Sequence, residues 1–181
     1  MKRERNTHLY QITNFNTMIK LKQLDPCDGM DIFSMLKKIE AVENSFTNPV
    51  KNMNYQEYKN WLLQQDQWRR GINLPKGYVK QTIYWLYIDE IPVGIGKIRQ
   101  DLTDNSRNNG GNIGYAISSD FRGHGYATKL LALLLREADA MGVNEVVLTV
   151  DKYNTASKCV IESNGGKLYF ENSKRWFYRF W

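Results

Sequence analysis

One stretch of this 181-residue chain combines residue types and spacing that could hold a phosphate. It reads Ile113-Gly-Tyr-Ala-Ile-Ser-Ser-Asp-Phe-Arg-Gly-His-Gly-Tyr-Ala-Thr-Lys-Leu-Leu, a β-type run that breaks at glycine and enters an amphipathic helical pattern. Gly123 and Gly125 let the backbone turn sharply and approach a ligand with no Cβ in the way. The unpaired N–H groups of a first helical turn, with the helix dipole, would favour a phosphate or pyrophosphate there. The P-loop string G-x-x-x-x-G-K-[ST] is absent. So is the dinucleotide fingerprint, since Gly94-Ile-Gly96 lies inside a predicted strand and lacks a third glycine. Taken alone, Arg122-Gly-His-Gly-Tyr-Ala127 serves equally as an anion cradle or as a plain strand-to-helix turn. Cys27 and Cys159 have no accompanying His-Asp pattern, and Cys159 reads as a small core residue. No His/Asp/Glu cluster has ligand spacing, so no metal is expected.

The elements that must position these residues follow from apolar periodicity. Ile19, Leu21 and Leu24 alternate with polar residues as in a half-buried strand. Asp28–Glu43 and Tyr55–Arg69 read as helices, with Ile32, Met35, Leu36 and Ile39 on one face of the first. After a loop around Gly71–Gly77, Gln81–Ile88 and Val93–Leu102 form a hairpin across an Asp89-Glu90 turn. Asp104–Asn112 reads as a loop. Then come a strand at Asn112–Ile117, a helix at Gly125–Met141, a strand at Glu145–Val150 and a helix at Thr155–Asn164. Gly142 and Gly165 stop the two helices. Lys167–Phe170 and Trp176–Trp181 close the chain as two strands about Asn172-Ser173. The aromatics Tyr84, Trp85, Tyr87, Trp176, Phe177 and Tyr178 are expected on sheet faces. The pattern is a single α+β domain without internal repeats.

Composition narrows the function classes. Hydrophobic residues make up 42% and charged residues 24%, and 25 Lys+Arg against 19 Asp+Glu give a net charge of +6. No apolar run passes six residues, far below the ~20 that span a bilayer, so no membrane partner is expected. The basic N-terminus lacks an apolar core region, and two cysteines suit a reducing compartment; a cytoplasmic location is expected. Apart from residues 2–5, the basic side chains are interleaved with acids, which argues against a nucleic-acid partner and leaves some charge to attract a small anionic cofactor.

Here the chain resembles a known family. Arg122-x-x-Gly125-x-Ala127, set between a strand and an amphipathic helix, is similar to the acyl-coenzyme A signature of the GNAT superfamily of N-acetyltransferases. A second block agrees: Val146–Val150, then Asn154-Thr-Ala156-Ser157, then Asn164-Gly-Gly166. Gly111-Asn-Ile-Gly-Tyr-Ala-Ile and Ile72-Asn-Leu-Pro-Lys-Gly resemble a bacterial subgroup described only as predicted acetyltransferases. The resemblance runs from Met18 to the C-terminus, giving an N-terminal extension at 1–17 and one domain at 18–181.

The resemblance implies an α/β/α layered fold, with a mixed, largely antiparallel sheet splayed open between the strands of Ile113–Ile117 and Glu145–Val150. Acetyl-CoA would lie in the gap as cosubstrate and an amine acceptor would arrive opposite. The backbone at Ile117 would pair with the pantetheine arm. Arg122, Gly123, His124, Gly125, Tyr126 and Ala127 would wrap the pyrophosphate, with a hydroxyl from Thr128. His124 sits at a variable position of that loop and is expected to face solvent. Asn154 would hold the pantetheine, and Ser157 would lie beside the thioester. The family often carries a thiolate-protonating Tyr where this chain has Ile161, which leaves Tyr153 and Tyr115 as substitutes. Asp151 is the nearest carboxylate for a base, acting through water, though its type and place read first as a turn former before a helix; Asn154 also reads as a helix N-cap. Two activities compete: acetyl transfer to a primary amine, or a coenzyme-binding module without catalysis, favoured by Ile161. The acceptor pocket is expected largely from residues 28–80, which carry no diagnostic motif. An edge strand near the aromatic C-terminus offers a surface for a homodimer.

Overall fold

The computed structural model describes residues 17–180, so the expected N-terminal extension, apart from Thr17, and the terminal Trp181 lie outside the described residues. The order is β1 (Ile19–Gln23), α1 (Met30–Lys37), β2 (Val42–Glu43), β3 (Phe46–Thr47), α2 (Tyr55–Arg69), β4 (Gln81–Ile88), β5 (Ile91–Arg99), α3 (Asp104–Asn108), β6 (Ile113–Ile117), α4 (Tyr126–Ala140), β7 (Val146–Asp151), α5 (Thr155–Ser163), β8 (Lys167–Glu171) and β9 (Arg175–Phe180).

Two antiparallel sheets carry the domain, one ordered β1-β4-β5-β6 and the other β7-β9-β8. β4 is apolar on both faces because both are covered, and its residues Thr82–Ile88 are all buried. Ile83, Trp85 and Ile95 pack with Ile32, Leu36, Tyr58 and Leu62 of α1 and α2. On the opposite face Leu86, Ile98 and Ile113 pack with Leu130, Leu131 and Leu134 of α4, a cluster that takes in Leu148 and Ile161. The result is the expected α/β/α layering. Burial of two such clusters, at about 25 cal/mol per Å² of apolar surface, supplies the main stabilisation.

The two sheets touch at one point and part beyond it. The Asn112 N–H donates to the Val147 carbonyl at 2.7 Å. Asn112 Oδ1 accepts from the Val147 N–H at 2.8 Å, and its Nδ2 donates to the Arg99 carbonyl at 3.0 Å. Asn112 is therefore a clamp, buried and bonded on both sides of its amide. Gly111, at φ +75°, packs so closely on the Val147 carbonyl that any Cβ would clash with it. Past the clamp β6 and β7 are not paired with each other. A sheet that is closed at one end and open at the other must leave a cleft.

Two segments differ from the sequence expectation. The helix expected over 28–43 ends at Lys37, and the chain then makes a small hairpin of β2 and β3. Its turn residues Asn44 and Ser45 both take positive φ, 49° and 66°, the geometry of a two-residue hairpin turn that Asn tolerates. Asn48 ends the helix tertiarily, donating Nδ2 to the Leu36 and Ile39 carbonyls at 2.8 and 2.9 Å. The loop expected over 104–112 opens with the short helix α3, started by a capping box between Thr103 and Ser106.

Candidate active site

The cleft left by the parting strands has a volume of about 550 Å³, within the range of small-molecule sites. Ile113–Ile117 line one wall and Leu148–Val150 the other; Glu43–Thr47 of the hairpin cover one mouth, and the start of α4 and the side of α5 frame the other.

At the helical mouth the binding surface is backbone. Gly125 is the N-cap of α4 in the left-handed conformation, φ 73° and ψ 6°, and contributes no side-chain cap. Gly123 has φ +81°, and a Cβ at either position would meet open space. The first N–H groups of a helix lack intrahelical partners, so the start of α4 presents donors and the positive dipole end to the cleft. Thr128 lies in the first turn beside them. The Arg122 side chain is committed elsewhere: Nε donates to the Ile117 carbonyl at 3.1 Å, and Nη1 and Nη2 form a bidentate pair with Glu43 at 2.9 and 2.7 Å.

Across the middle runs a hydroxyl pair. Tyr115 Oη lies 2.7 Å from Ser157 Oγ, linking β6 to α5 over the gap. Burial pushes the Tyr115 phenol up to about 12, partly offset by the Ser157 hydrogen bond. Ile161, one turn further along α5, is buried in the core and lines the cleft. Asn154 Oδ1 accepts from the Ser157 N–H at 3.1 Å, so it caps α5 while it lines the site.

At the opposite mouth the surface is side chain. Asp151, 6% exposed, does not itself line the cleft and has both oxygens engaged behind it. Oδ1 pairs with Arg175 Nε at 3.2 Å, and Oδ2 accepts from Ser45 Oγ at 2.6 Å. Ser45 in turn accepts from Arg175 Nη2 at 2.9 Å and faces the cleft. Lys97 Nζ donates to the Thr47 carbonyl at 2.8 Å and stands 4.5 Å from the Phe46 ring centroid. Burial, then the neighbouring Arg99, lower its ammonium to about 8. Arg99 Nη1 donates to the Gly111 carbonyl at 3.0 Å, and burial lowers this guanidinium as well.

Residues 19–167 match the family model of the acetyltransferase (GNAT) domain. The chain belongs to the GNAT acetyltransferase family. Membership makes it an acetyl-CoA-dependent N-acetyltransferase, and the open glycine start of α4 suits that cosubstrate. No curated relative matches at a significant level. Among solved structures the GNAT domain is similar to RimL, a ribosomal L7/L12 alpha-N-protein acetyltransferase in complex with coenzyme A. The two share 15% identity and a TM-score of 0.67 over 90% of this chain and 93% of that one. It is also similar to the microcin C7 self-immunity acetyltransferase MccE in complex with acetyl-CoA and AMP, at 16% identity and a TM-score of 0.65, covering 90% and 91%. The N-acetyltransferase PseH of Campylobacter jejuni in complex with acetyl coenzyme A aligns at 15% identity and a TM-score of 0.61, covering 90% and 98%. At these identities the likeness is one of fold.

Within this GNAT domain Ile117, Arg122, Gly123, Gly125, Tyr126, Ala127, Thr128, Asn154 and Ser157 all line one cleft. His124 is exposed and stacks near Tyr126, with ring centroids 5.6 Å apart. Tyr153 is 79% exposed in the turn after β7 and does not line the cleft. Cys159 is exposed on α5 instead of packed in the core. The hairpin residues Glu43–Thr47 and the β5 cations Lys97 and Arg99 escaped the sequence reading. Asn44-Ser45 between Val42-Glu43 and Phe46-Thr47, two pairs that each join an apolar to a polar residue, was the available signal for the hairpin. Lys97 and Arg99 alternate with Ile95 and Ile98 in a way that marks only a two-faced strand.

Proposed function

We propose that this domain transfers the acetyl group of acetyl-CoA directly to a primary amine of a small molecule or peptide, in the cytoplasm. The observation that carries the reading is the cleft where β6 and β7 part, with the open glycine start of α4 at one mouth and polar side chains at the other. Backbone N–H groups from Gly123 to Ala127, including His124, with the Thr128 hydroxyl, would hold the pyrophosphate; the backbone at Ile117 would hold the pantetheine. The cosubstrate supplies an acyl group already activated as a thioester.

The protein then has three tasks. The first is to keep the acceptor amine neutral, because a free ammonium near 10.4 is not a nucleophile. Ser45, hydrogen-bonded to Asp151, takes the departing proton from the attacking nitrogen and passes it to the carboxylate. The second task is to stabilise the oxyanion, which a β6 backbone N–H does where the strand is unpaired with β7. The third is to settle the leaving thiolate. With Ile161 in place of a phenol, the Tyr115–Ser157 pair is the nearest hydroxyl source on that helix face. A phenol near 12 does not surrender its proton at equilibrium to a thiolate near 8.5, so Tyr115 acts as a hydrogen-bond donor and relay. Tyr153, exposed to solvent, takes no part in this scheme.

The test is calorimetric titration with acetyl-CoA, followed by free-thiol release over an amine panel. Micromolar binding and amine-dependent thiol release are expected. No binding at millimolar acetyl-CoA overturns the reading, and binding without thiol release would favour the non-catalytic module.

A further inference from the structure

We infer that the acceptor is a small amine that carries an acid group, a carboxylate or a phosphate, seated between Lys97 and Arg99. This deepens the transferase reading and rests on it. Four charged residues line the cleft: Glu43, Lys97, Arg99 and Arg122. Glu43 is taken up by Arg122 in a bidentate pair. The two β5 cations are left over, since neither joins an ion pair among the described residues. They stand two residues apart on one face of a strand, so both reach the same side of the cleft, about 7 Å from each other along the backbone.

Their donors are mostly unused. Lys97 has three N–H donors and spends one on the Thr47 carbonyl; Arg99 has five and spends one on the Gly111 carbonyl. Burial lowers both ionisations, and Arg99 additionally repels the Lys97 ammonium. An anion bound between them removes that repulsion and fills the donors with charge-assisted hydrogen bonds. Arg99 offers a planar fork suited to a carboxylate or phosphate, and Lys97 a point charge.

Register sets the spacing to the reaction. Lys97 stands opposite Gly114 in the β5–β6 pairing, one residue from Tyr115. Tyr115 projects from the other face of the sheet, so an amine held by its acid group on Lys97 and Arg99 meets the Tyr115–Ser157 pair through the opening where β6 and β7 part. The cleft volume of about 550 Å³ has to admit the acetyl end of the cosubstrate too, which limits the acceptor to a small molecule.

Matched amine pairs test this by thiol release at saturating acetyl-CoA: amino acids against their amides, and aminoalkyl phosphates against amino alcohols. The acid-bearing member of one series is expected to win by about 10- to 100-fold in kcat/KM, the value of a charge-assisted contact. Which series wins separates carboxylate from phosphate. Lys97→Gln with Arg99→Gln should abolish the preference, and Lys97→Arg, which keeps the charge, should retain it and report that the fold is intact. Equal or better turnover of the neutral members, no turnover of any acid-bearing amine, or a preference that survives the double substitution overturns the inference. Acetyl-CoA titration on the same samples separates the two readings: with coenzyme binding and neutral-amine turnover intact, only the acid-group inference falls, whereas no coenzyme binding removes both.

Discussion

The two mouths of the cleft are built in opposite ways. The helical mouth is backbone: two glycines at positive φ and the open first turn of α4. The hairpin mouth is side chain: Glu43, Ser45, Lys97 and Arg99 line it, with Asp151 and Arg175 bonded behind Ser45. A backbone site depends on conformation, so it suits a ligand that stays the same. A side-chain site depends on identity, so it can be changed without moving the chain, which suits the variable half of a reaction.

The sharpest way to break this contrast is at Gly125. A left-handed non-glycine residue costs about 1–2 kcal/mol, and a Cβ would project where phosphates approach. Gly125→Val should therefore weaken acetyl-CoA binding by about 100-fold or more, read by calorimetry, while thermal unfolding falls only by that strain. Unchanged affinity would mean that the helical mouth does not hold the cosubstrate. Next is Tyr115→Phe, expected to lower kcat by about 10- to 100-fold with the KM for acetyl-CoA little changed, as for loss of one positioned hydrogen-bond donor and relay. Because the phenol titrates near 12, the wild-type rate should show no loss from this group up to pH 10.

Asp151→Asn should lower kcat by about 10-fold or more, since it removes the proton acceptor behind Ser45. Lys97 gives a pH signature on the other side of the comparison. Its ammonium is charged below about 8 and neutral above it. An N-acetylated acid, which has no amine to titrate, should thus bind more weakly above pH 8, by up to about 10-fold, and Lys97→Gln should flatten the profile. Arg99 is the charged neighbour acting on Lys97; Thr47 and Phe46 of β3 contact it as a carbonyl and a ring, and Gly114 stands opposite it on β6. The stability sign is distinct. Lys97 titrates near 8 when folded and 10.5 otherwise, so the unfolded chain holds more protons between those values. This group makes the fold gain stability as pH rises through that window. The smallest effect is Glu43→Gln, which breaks a half-exposed pair with Arg122 worth about 1 kcal/mol at most, read as a shift in thermal midpoint.

Legibility in the sequence follows the same division. Arg122-Gly-His-Gly-Tyr-Ala127 was readable because a tight turn into a helix must be written in consecutive residues. The Leu130, Leu131 and Leu134 face of α4 and the β4–β5 hairpin were readable for the same reason, as local periodicity and an Asp89-Glu90 turn, both at positive φ. The end of α1 was not, because Ile39 continues the helical spacing and what stops the helix is Asn48, nine residues later. Asp151 was visible as a carboxylate, but its engagement by Ser45, 106 positions away, was not. Ile161 marked a missing phenol with Tyr115 and Tyr153 as substitutes; that Tyr115 and not Tyr153 meets Ser157 depended on two strands meeting at Asn112 and then parting.

By itself the sequence determined the α+β pattern of elements and the glycine turn into α4, which are written in neighbouring residues, and the resemblance of its motifs carried the family and the layering. Only the tertiary structure decided which side chains face the cleft. Lys97, Arg99 and Ser45 line one cleft, with Asp151 bonded behind Ser45, because β5, the hairpin and β7 converge there, and convergence of distant segments leaves no trace in local spacing.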